Sequence, residues 1–381
     1  MSETLLTTPL HACHRSLGAK MAPFAGYDMP ISYTSLREEH EAVRERVGMF
    51  DVSHMGEFVV KGKDALALIQ KVTTNDASEL EIGQAQYSAF ATPEGGIVDD
   101  LLVYRLPEDK CAAGERAYML VVNASNIDKD WAWIGQHAGG MDARRINISE
   151  ETALLAVQGP KAVEALQWFT TVKLRDMPYY TFVKTEFAGV DNVIVSATGY
   201  TGAGGFELYI PAERASEVWD AILAGSNLPT ERMDDHRVQP VGLGARDSLR
   251  LEMAYALYGN DIDDTTSTLE AGLGWITKLD KGDFVGRDFL VEQKAAGLQR
   301  RLVGLTVEGR RVARHGYPLF DADDDEIGVV TSGSQSPTLG APIAMGYVPY
   351  AMRKPGTEVY VGIGAKRLKA VVTKTPFVPG G

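Results

Sequence analysis

The sequence predicts a mixed α and β protein whose C-terminal part is a separate all-β domain. Helical and strand-like segments alternate through the first two thirds of the chain, as in α+β or α/β proteins. After about residue 300, short strand-like runs follow one another closely, separated by Gly and Pro, which is typical of a barrel or sandwich. We therefore expect a boundary between about residues 260 and 300. A chain of 381 residues has room for two or three domains.

The first clear helix is SLREEHEAVRERVG, residues 35–48. Ser35 is the predicted N-cap, and Glu38 completes a capping box with it. Acidic residues lie at the start of the segment and arginines near its end, as the helix dipole favours, and Gly48 is the predicted stop. The second half of MFDVSHMGEFVVKG then predicts a strand, and KDALALIQKV predicts an amphipathic helix.

The middle of the chain predicts further hairpins and helices. GGIVDDLLVYRL and AYMLVVNAS indicate two antiparallel strands with a long connection, and NIDKDWAWIGQHAGG indicates a helix. TALLAVQGPKAVEALQWF predicts a strand, a turn and a helix, and NVIVSATGYTGAGGFELYIP predicts two strands around a glycine-rich turn. SEVWDAIL is a further helix. The C-terminal strands are RRLVGLTVEG, EIGVVTSG, IAMGYVP, GTEVYVGIG and RLKAVVTK.

Composition excludes several classes of protein. The 38 Lys and Arg residues are outnumbered by 51 Asp and Glu residues, giving a formal charge of −13, so we expect no nucleic-acid partner. Two cysteines cannot form a disulfide framework or a cysteine-based metal cluster, and we expect no metal. No apolar stretch is long enough to cross a membrane, and the N-terminus does not resemble a secretory signal. P-loop and GxSxG motifs are absent.

Asp99 and Asp100 follow Gly95-Gly96 and precede the apolar segment LLVY. Neighbouring residues of a strand face opposite sides, so one carboxylate can enter a pocket while the other caps a loop or meets solvent. One interpretation is an ordinary turn pair at the beginning of a strand. The other is a carboxylate that holds or transfers a proton near a developing cation.

The segment TGYTGAGGFELY, residues 198–209, is the second candidate site. Its glycines allow the backbone to approach a flat ligand closely, and Glu207 can accept two parallel N–H bonds from an amidine-like edge, such as that of a pterin or a guanine. Thr198, Tyr200, Thr201 and Gly205 are its other candidates. The alternative is a plain β-turn with a solvated glutamate.

Arg246 and Arg250 lie four positions apart in GLGARDSLRLEMAYALYGNDID, which we expect to be helical from about Ala245. Residues at this spacing share one face of a helix. The pair therefore indicates either a salt-bridged helix or an anchor for an anionic tail or a carbonyl group.

These segments together resemble the aminomethyltransferase family, the T-protein of the glycine cleavage system. The resemblance runs in family order from about residue 6 to the end of the chain. It is carried by LGAKMAPFAGYDMPISY, VGMFDVSHMGEF, GGIVDDLLVY, VVNASNIDKD, LLAVQGPKA, TGYTGAGGFELY, GLGARDSLRLEMAYALYGNDID, KGDFVGRDFL, TSGSQSPTLG and PFVPG.

The resemblance implies an α+β fold of three domains arranged as a cloverleaf around a central folate channel. It assigns residues 1–52 and 150–258 to a discontinuous folate-binding domain and residues 53–149 to an inserted α+β domain. Residues 259–381 are then a linker and a C-terminal β-barrel, in agreement with the late all-β segment. The inserted domain does not follow from periodicity.

The implied reaction takes the aminomethyl group from the lipoyl arm of the H-protein. The one-carbon unit passes to tetrahydrofolate, giving 5,10-methylenetetrahydrofolate and ammonia. The resemblance places the family's critical aspartate at Asp100 and the glutamate that binds the pterin edge at Glu207. Further folate-pocket positions match Tyr87, Asn123, Tyr179, Tyr200, Arg246 and Tyr255. The family also has a contact a few residues past PFVP, which we expect to be missing or replaced here.

Other members of the fold provide the alternatives. A folate-dependent iron–sulfur maintenance protein has a KGC-type motif, where this chain has Asp283 in KGDFVGRD. A folate-dependent demethylase acting on a small methylated substrate shares the folate but not the lipoyl partner, and a non-catalytic folate-binding protein does not need Asp100. The H-protein contact is assigned hypothetically to Arg300, Arg301, Arg310 and Arg311, whose alternative is a solvated face. We expect a bacterial cytoplasmic location, or the mitochondrial matrix in a eukaryote.

Overall fold

The computed structural model describes residues 4–225 and 237–380, and its α+β architecture confirms the predicted fold class. The helices alternate with strands along the chain rather than forming a separate bundle. Within the described residues they are α1 (His11–Ser16), α2 (Leu36–Glu45), α3 (Ala65–Val72), α4 (Ile127–His137), α5 (Ala162–Leu166), α6 (Ala215–Ala224), α7 (Leu243–Glu252) and α8 (Arg287–Ala296).

A six-stranded sheet is assembled from two distant parts of the chain. Its order is β10-β11-β12-β9-β3-β13, and all its pairs are antiparallel except β13 with β3. Apolar residues of α6, including Trp219, are buried against it. Its strands are β3 (Gly48–Asp51), β9 (Thr152–Gln158), β10 (Phe182–Phe187), β11 (Val190–Ser196), β12 (Gly205–Pro211) and β13 (Gln239–Pro240).

A five-stranded antiparallel sheet, in the order β5-β6-β7-β4-β8, is formed by the chain between β3 and β9. Helices α3 and α4 bury Leu68, Ile69 and Ile134 in the core of this unit. The predicted hairpin with a long connection is confirmed, because Leu102 of β6 pairs with Val121 of β7. The strands are β4 (Gly56–Gly62), β5 (Ala85–Ala91), β6 (Ile97–Arg105), β7 (Arg116–Val122) and β8 (Arg144–Asn147).

The C-terminal part closes into a six-stranded barrel, which confirms the predicted all-β domain. Leu305, Val330, Val348 and Val361 are among the buried residues of its core. Five strands coincide with the predicted runs, and the short β15 is an addition. The strands are β14 (Arg300–Val307), β15 (Pro318–Phe320), β16 (Glu326–Ser336), β17 (Ala341–Pro349), β18 (Glu358–Ile363) and β19 (Lys366–Thr373).

Two predicted element ends were wrong. Helix α2 ends at Glu45, and Gly48 is the first residue of β3 rather than a helix stop. A Cβ on Gly48 would lie 2.6 Å from side-chain atoms of Val43 and Val241, so the glycine is needed for close packing. Helix α7 begins at Leu243, two positions before the expected start. The ribbon of β1 (Lys20–Phe24) and β2 (Tyr27–Ser32) was not predicted.

The three sheet systems contribute residues to one shared cavity. In the part of the chain that the structure covers, no helix has the length and apolar character that a bilayer crossing needs.

Candidate functional site

The shared cavity has a volume of about 560 Å³. The five-stranded sheet contributes part of its wall, β12 another part, and the barrel strands contribute Leu302 and Met345. All eight positions that the resemblance implicates line this cavity, namely Asp100, Tyr87, Asn123, Tyr179, Tyr200, Glu207, Arg246 and Tyr255. The fold thus brings together residues from three parts of the sequence.

A second depression of similar volume lies on the surface, between the β6–β7 connection and the β10–β11 hairpin. It contains none of the predicted residues. Its lining is largely exposed and charged, with Asp109, Lys110, Lys184, Glu186 and Asp191. It lacks the convergent buried polar groups that mark a binding site.

Asp100 faces the shared cavity, and Asp99 faces the protein interior. Tyr87 Oη donates to Asp100 Oδ2 at 2.8 Å, and Asn123 Nδ2 donates to Asp100 Oδ1 at 2.9 Å. Asp99 instead accepts from the backbone N–H of Asn123 at 3.0 Å and from both Asn123 Nδ2 at 2.8 Å and Asn126 Nδ2 at 2.6 Å. Both residues lie within β6, so the turn-pair interpretation was wrong, and the strand pleat separates the two carboxylates as expected.

Burial and the negative charge of Asp99 raise the pKa of Asp100 to about 7, against the opposing effect of its hydrogen bonds from Tyr87 and Asn123. An ordinary surface aspartate ionises near pH 3.9. Asp100 can therefore exist in both protonation states near neutral pH, which suits a group that handles protons or stabilises a transient cation.

Glu207 is buried, lines the cavity, and accepts a hydrogen bond from Thr198 Oγ1 at 2.5 Å. Burial raises the pKa of this carboxyl, while the Thr198 hydroxyl and the Arg246 charge oppose that rise. Arg246 lies 4.8 Å from the centre of the Tyr200 ring, and its buried Nη1 has no hydrogen-bond partner among the described residues. An acceptor and an unpaired donor are thus available to one ligand.

The glycine-rich turn packs closely against strand β9. A Cβ on Gly205 would lie 2.3 Å from the carbonyl oxygen of Val157, and one on Gly199 would lie 1.9 Å from Gln158 Oε1. Gly199 also lines the cavity, and the close approach of this turn to a ligand stays a prediction. Thr201 is buried and donates to Gln158 Oε1 at 2.8 Å, and it does not line the cavity.

Aromatic side chains form much of the cavity wall. The rings of Tyr200 and Tyr255 stack with centroids 5.7 Å apart, and Tyr200 Oη donates to the carbonyl oxygen of Ala256. Tyr179 is 55% exposed, so its ring remains available to a bound molecule. A flat heterocyclic ligand can be held between such rings.

Arg250 does not share the cavity with Arg246, although both belong to α7. It is buried and donates to Asp261 Oδ2 at 2.6 Å, and to Ser332 Oγ at 2.9 Å in barrel strand β16. The salt-bridged interpretation therefore holds for Arg250, and the ligand-anchor interpretation remains for Arg246.

His54 and Trp275 are among the cavity residues that the sequence analysis did not single out. His54 is buried, its Nδ1 has no hydrogen-bond partner in the described chain, and burial together with the Arg246 charge lowers its pKa to about 4. Trp275 is 57% exposed, and its ring centre lies 5.9 Å from that of Tyr87. Neither residue stands in a local pattern that distinguishes it from a core histidine or a surface tryptophan.

The four arginines suggested for a partner contact have different environments. Arg300 pairs with Glu270 at 3.3 Å, and Arg301 lines the cavity while donating to the carbonyl oxygen of Leu269 at 2.8 Å. Arg310 and Arg311 are exposed. Across residues 4–225 and 237–380, no group of three or more His, Cys, Asp or Glu side chains could hold a metal ion.

Two family models match the chain. Residues 10–281 match the GCVT N-terminal domain, and residues 300–379 match the glycine cleavage T-protein C-terminal barrel domain. The second match covers the closed barrel, and the first covers both remaining sheets.

Curated relatives and a solved structure match over nearly the full length. An aminomethyltransferase of Flavobacterium psychrophilum is 52% identical over 371 residues, covering 97% of this chain and 98% of the relative. One from Bacteroides fragilis is 53% identical over 372 residues, covering 97% and 99%. The crystal structure of glycine cleavage system aminomethyltransferase T from Bartonella henselae superposes with a TM-score of 0.89 at 35% identity, covering 99% of each chain.

Proposed function

The chain belongs to the glycine cleavage T-protein family of aminomethyltransferases, and from that premise we propose its substrates and its chemistry. The donor is the S-aminomethyl group on the lipoyl arm of an H-protein. The acceptor is tetrahydrofolate, and the products are 5,10-methylenetetrahydrofolate, ammonia and the dihydrolipoyl thiol. The observation that carries this proposal is the convergence of Asp100, Glu207 and Arg246 on one cavity.

The folate pterin fits the polar groups at the Glu207 end of the cavity. The Glu207 carboxylate accepts the paired N–H groups of the amidine-like edge, and the unpaired Nη1 of Arg246 donates to the ring carbonyl. The Tyr200 and Tyr255 rings supply flat apolar surface beside it. Tyr179 at 55% exposure is available to the remainder of the folate.

Asp100 is proposed to act on the transferred carbon. The folate N5 amine is itself the nucleophile, so the protein need not supply one. When the C–N bond of the aminomethyl group breaks, ammonia leaves and positive charge develops on the carbon. An ionised Asp100 stabilises that charge and orients the folate amines. Tyr87 and Asn123 hold its two oxygens in place.

The atoms balance without a further reactant. The ammonium form of the aminomethyl thioether and tetrahydrofolate together give the thiol, the methylene-bridged folate and an ammonium ion. Two N–H hydrogens of the folate are released, one to the thiol sulfur and one to the departing ammonia. A carboxyl group with a pKa of about 7 can carry such a proton in either direction near neutral pH.

We propose the domain boundaries that the resemblance implied, with residues 1–52 and 150–258 as one domain, 53–149 as the inserted one, and 259–381 as the linker and barrel. The sharing of one sheet by β3 and β9–β13 supports the discontinuous domain. A location in the bacterial cytoplasm is proposed because the similar proteins come from bacteria.

The test supplies aminomethylated H-protein and tetrahydrofolate and measures methylenetetrahydrofolate and ammonia. Equal amounts of both products, formed only when both substrates are present, are expected. Folate binding without H-protein-dependent turnover would contradict the proposal and favour a demethylase of a small methylated substrate. A control with free dihydrolipoyl compounds in place of the H-protein tests whether the protein partner itself is required.

A further inference from the structure

Two more carboxyl groups lie behind Asp100, outside the cavity wall. Asp99 belongs to β6 and Asp130 to α4, and both are fully buried. Asp99 accepts three N–H hydrogen bonds, from the Asn123 backbone and from the amide groups of Asn123 and Asn126, at 2.6–3.0 Å. Such a set of donors favours the ionised form of a carboxyl group.

Asp130 has very different surroundings. Neither of its carboxyl oxygens receives a hydrogen bond from a described donor, and its carboxyl group interacts with that of Asp99. Two carboxylates that interact within the protein interior cannot both be ionised. Because the N–H donors point at Asp99, the proton belongs on Asp130. Burial and the Asp99 charge raise the pKa of Asp130 to about 11.

The Asn123 amide connects this pair to the cavity. Its Nδ2 lies 2.8 Å from Asp99 Oδ1 and 2.9 Å from Asp100 Oδ1. An amide nitrogen has two hydrogens, and its acceptors here are the two carboxylates and, at 3.1 Å, the carbonyl oxygen of Asp100. A reversed amide would present its oxygen to both carboxylates, which is repulsive. The two carboxylates therefore fix the orientation of the amide.

We propose that Asp130 is a neutral acid that positions Asp100. Its O–H donates to Asp99, Asp99 holds the Asn123 amide, and the amide donates to Asp100. Asp130 is thus a positioning residue and does not touch the substrate. This inference rests on the proposed function, since it assigns a supporting role to the residue that acts in that reaction.

The same substitution should be tolerated at Asp130 and should impair turnover at Asp99. Asp130→Asn keeps the shape and an N–H donor toward Asp99, so kcat should remain within about twofold of wild type. Asp99→Asn removes the charge and turns an NH2 group toward N–H donors, so kcat should fall on the order of tenfold or more. Asp130→Ala should lower kcat by about tenfold, with the KM for tetrahydrofolate changed less than about twofold.

Asp128→Ala is the matched control, because Asp128 is exposed on the same helix. Its kcat should equal that of wild type. The proposal is overturned if Asp130→Asn is as impaired as Asp130→Ala, because an ionised Asp130 would then be required. It is equally overturned if folded Asp130→Ala retains wild-type kcat.

Infrared spectroscopy tests the protonation of Asp130 without any turnover. At about pH 8.5, where Asp100 with its pKa of about 7 is largely ionised, the wild type should show protonated-carboxyl intensity that Asp130→Asn loses and Asp128→Asn retains. Buried Glu57, whose pKa is also raised, contributes equally to all three proteins. Identical bands in wild type and Asp130→Asn would contradict the proposal. If the wild-type enzyme made no methylenetetrahydrofolate, the proposed function would fail, and the infrared difference would still decide whether Asp130 carries a proton.

Discussion

Asp99 and Asp100 are adjacent on strand β6, yet their carboxylates lie on opposite sides of it and are joined by a single amide, that of Asn123. The interior carboxylate has hydrogen-bond donors of its own, so it can hold a negative charge there. That charge lies close enough to Asp100 to raise its pKa. The pair therefore provides a cavity carboxyl group whose pKa is raised to about 7 by burial and by the neighbouring charge.

Asp100→Asn should abolish most of the turnover. The amide has the same shape and still accepts a hydrogen bond from Tyr87, but it has no charge to stabilise a developing cation. We expect kcat to fall by about 10²–10³-fold, with little loss of thermal stability. Steady-state kinetics and a melting curve measure the two quantities. Asp128→Asn is the surface control, and near-wild-type kcat in Asp100→Asn would contradict the role of this carboxylate.

The pH profile of kcat/KM, which reports groups of the free enzyme, should show a rise with a midpoint of about pH 7, because Asp100 is needed in its ionised form and its pKa is raised to about 7. Below that pH the group is protonated and neutral. His54 has a pKa of about 4 and should not contribute to this rise. The residual activity of Asp100→Asn, measured over the same range, should lack the inflection. A flat wild-type profile between pH 5 and 9 would exclude Asp100 as the titrating group.

The same pKa shift predicts the sign of a stability change. Folded Asp100 keeps its proton up to about pH 7, whereas in the unfolded chain it loses the proton near the ordinary value of 3.8. The contribution of Asp100 to stability therefore falls as pH rises between these values. Denaturant unfolding of wild type and Asp100→Asn at several pH values measures it. As pH rises from 4 to 8, the free energy of unfolding of the wild type should fall relative to that of Asp100→Asn.

The fold was largely predictable where a segment carried a strong local pattern. Ser35 and Glu38 predicted the start of α2 correctly, and Ser35 does accept from the Glu38 backbone. Strands β5, β8 and β10 were not identified; β5 and β8 do not alternate regularly between buried and exposed residues, whereas β10 does. Their strand conformation depends on pairing with distant neighbours, such as β5 with β6, and sequence periodicity does not contain that information.

The residues alone marked Asp100, Glu207 and Arg246 as separate candidates, and only the family resemblance joined them into one site. Asp100 and Glu207 lie more than a hundred positions apart, and no spacing rule places them in one cavity. His54 and Asp130 carried no local signal, since a buried histidine and an acidic residue near a helix start are both common. Their roles depend on what lies against them in three dimensions, such as the carboxylate of Asp99.

Glu207→Gln should weaken tetrahydrofolate binding. The amide retains one acceptor oxygen, but it loses the charge and presents an NH2 group toward the ligand's own N–H donors. We expect a loss of about 1.5–3 kcal/mol in binding free energy, measured by calorimetric titration. Glu213→Gln, on the exposed surface, is the matched control. Unchanged affinity in Glu207→Gln would remove Glu207 from the pterin site.

Glu252, at the end of α7, joins that helix both to α2 and to the barrel. It is fully buried, and Arg44 lies 2.9 Å and His40 3.2 Å from its Oε2. Ser336 Oγ, in barrel strand β16, donates to Oε1 at 2.5 Å. These partners lower the pKa of Glu252 to about 2, although burial alone acts in the opposite direction. The carboxylate is therefore a structural link between the barrel and the rest of the chain.

Glu252→Gln should destabilise the protein without acting on the chemistry. Removing one member of a buried ion pair leaves Arg44 without its counter-charge, so the free energy of unfolding should fall by about 3–5 kcal/mol at pH 7. Because the folded-state pKa is lowered, the contribution of Glu252 is complete above pH 4.5 and is lost as pH falls toward 2. The difference in the free energy of unfolding between wild type and Glu252→Gln, measured by denaturant, should therefore narrow as pH falls from 4.5 toward 2. Glu326→Gln, exposed at the start of β16, is the control. If the difference in the free energy of unfolding between wild type and Glu252→Gln did not change with pH, the ionised carboxylate would not be the source of the stability.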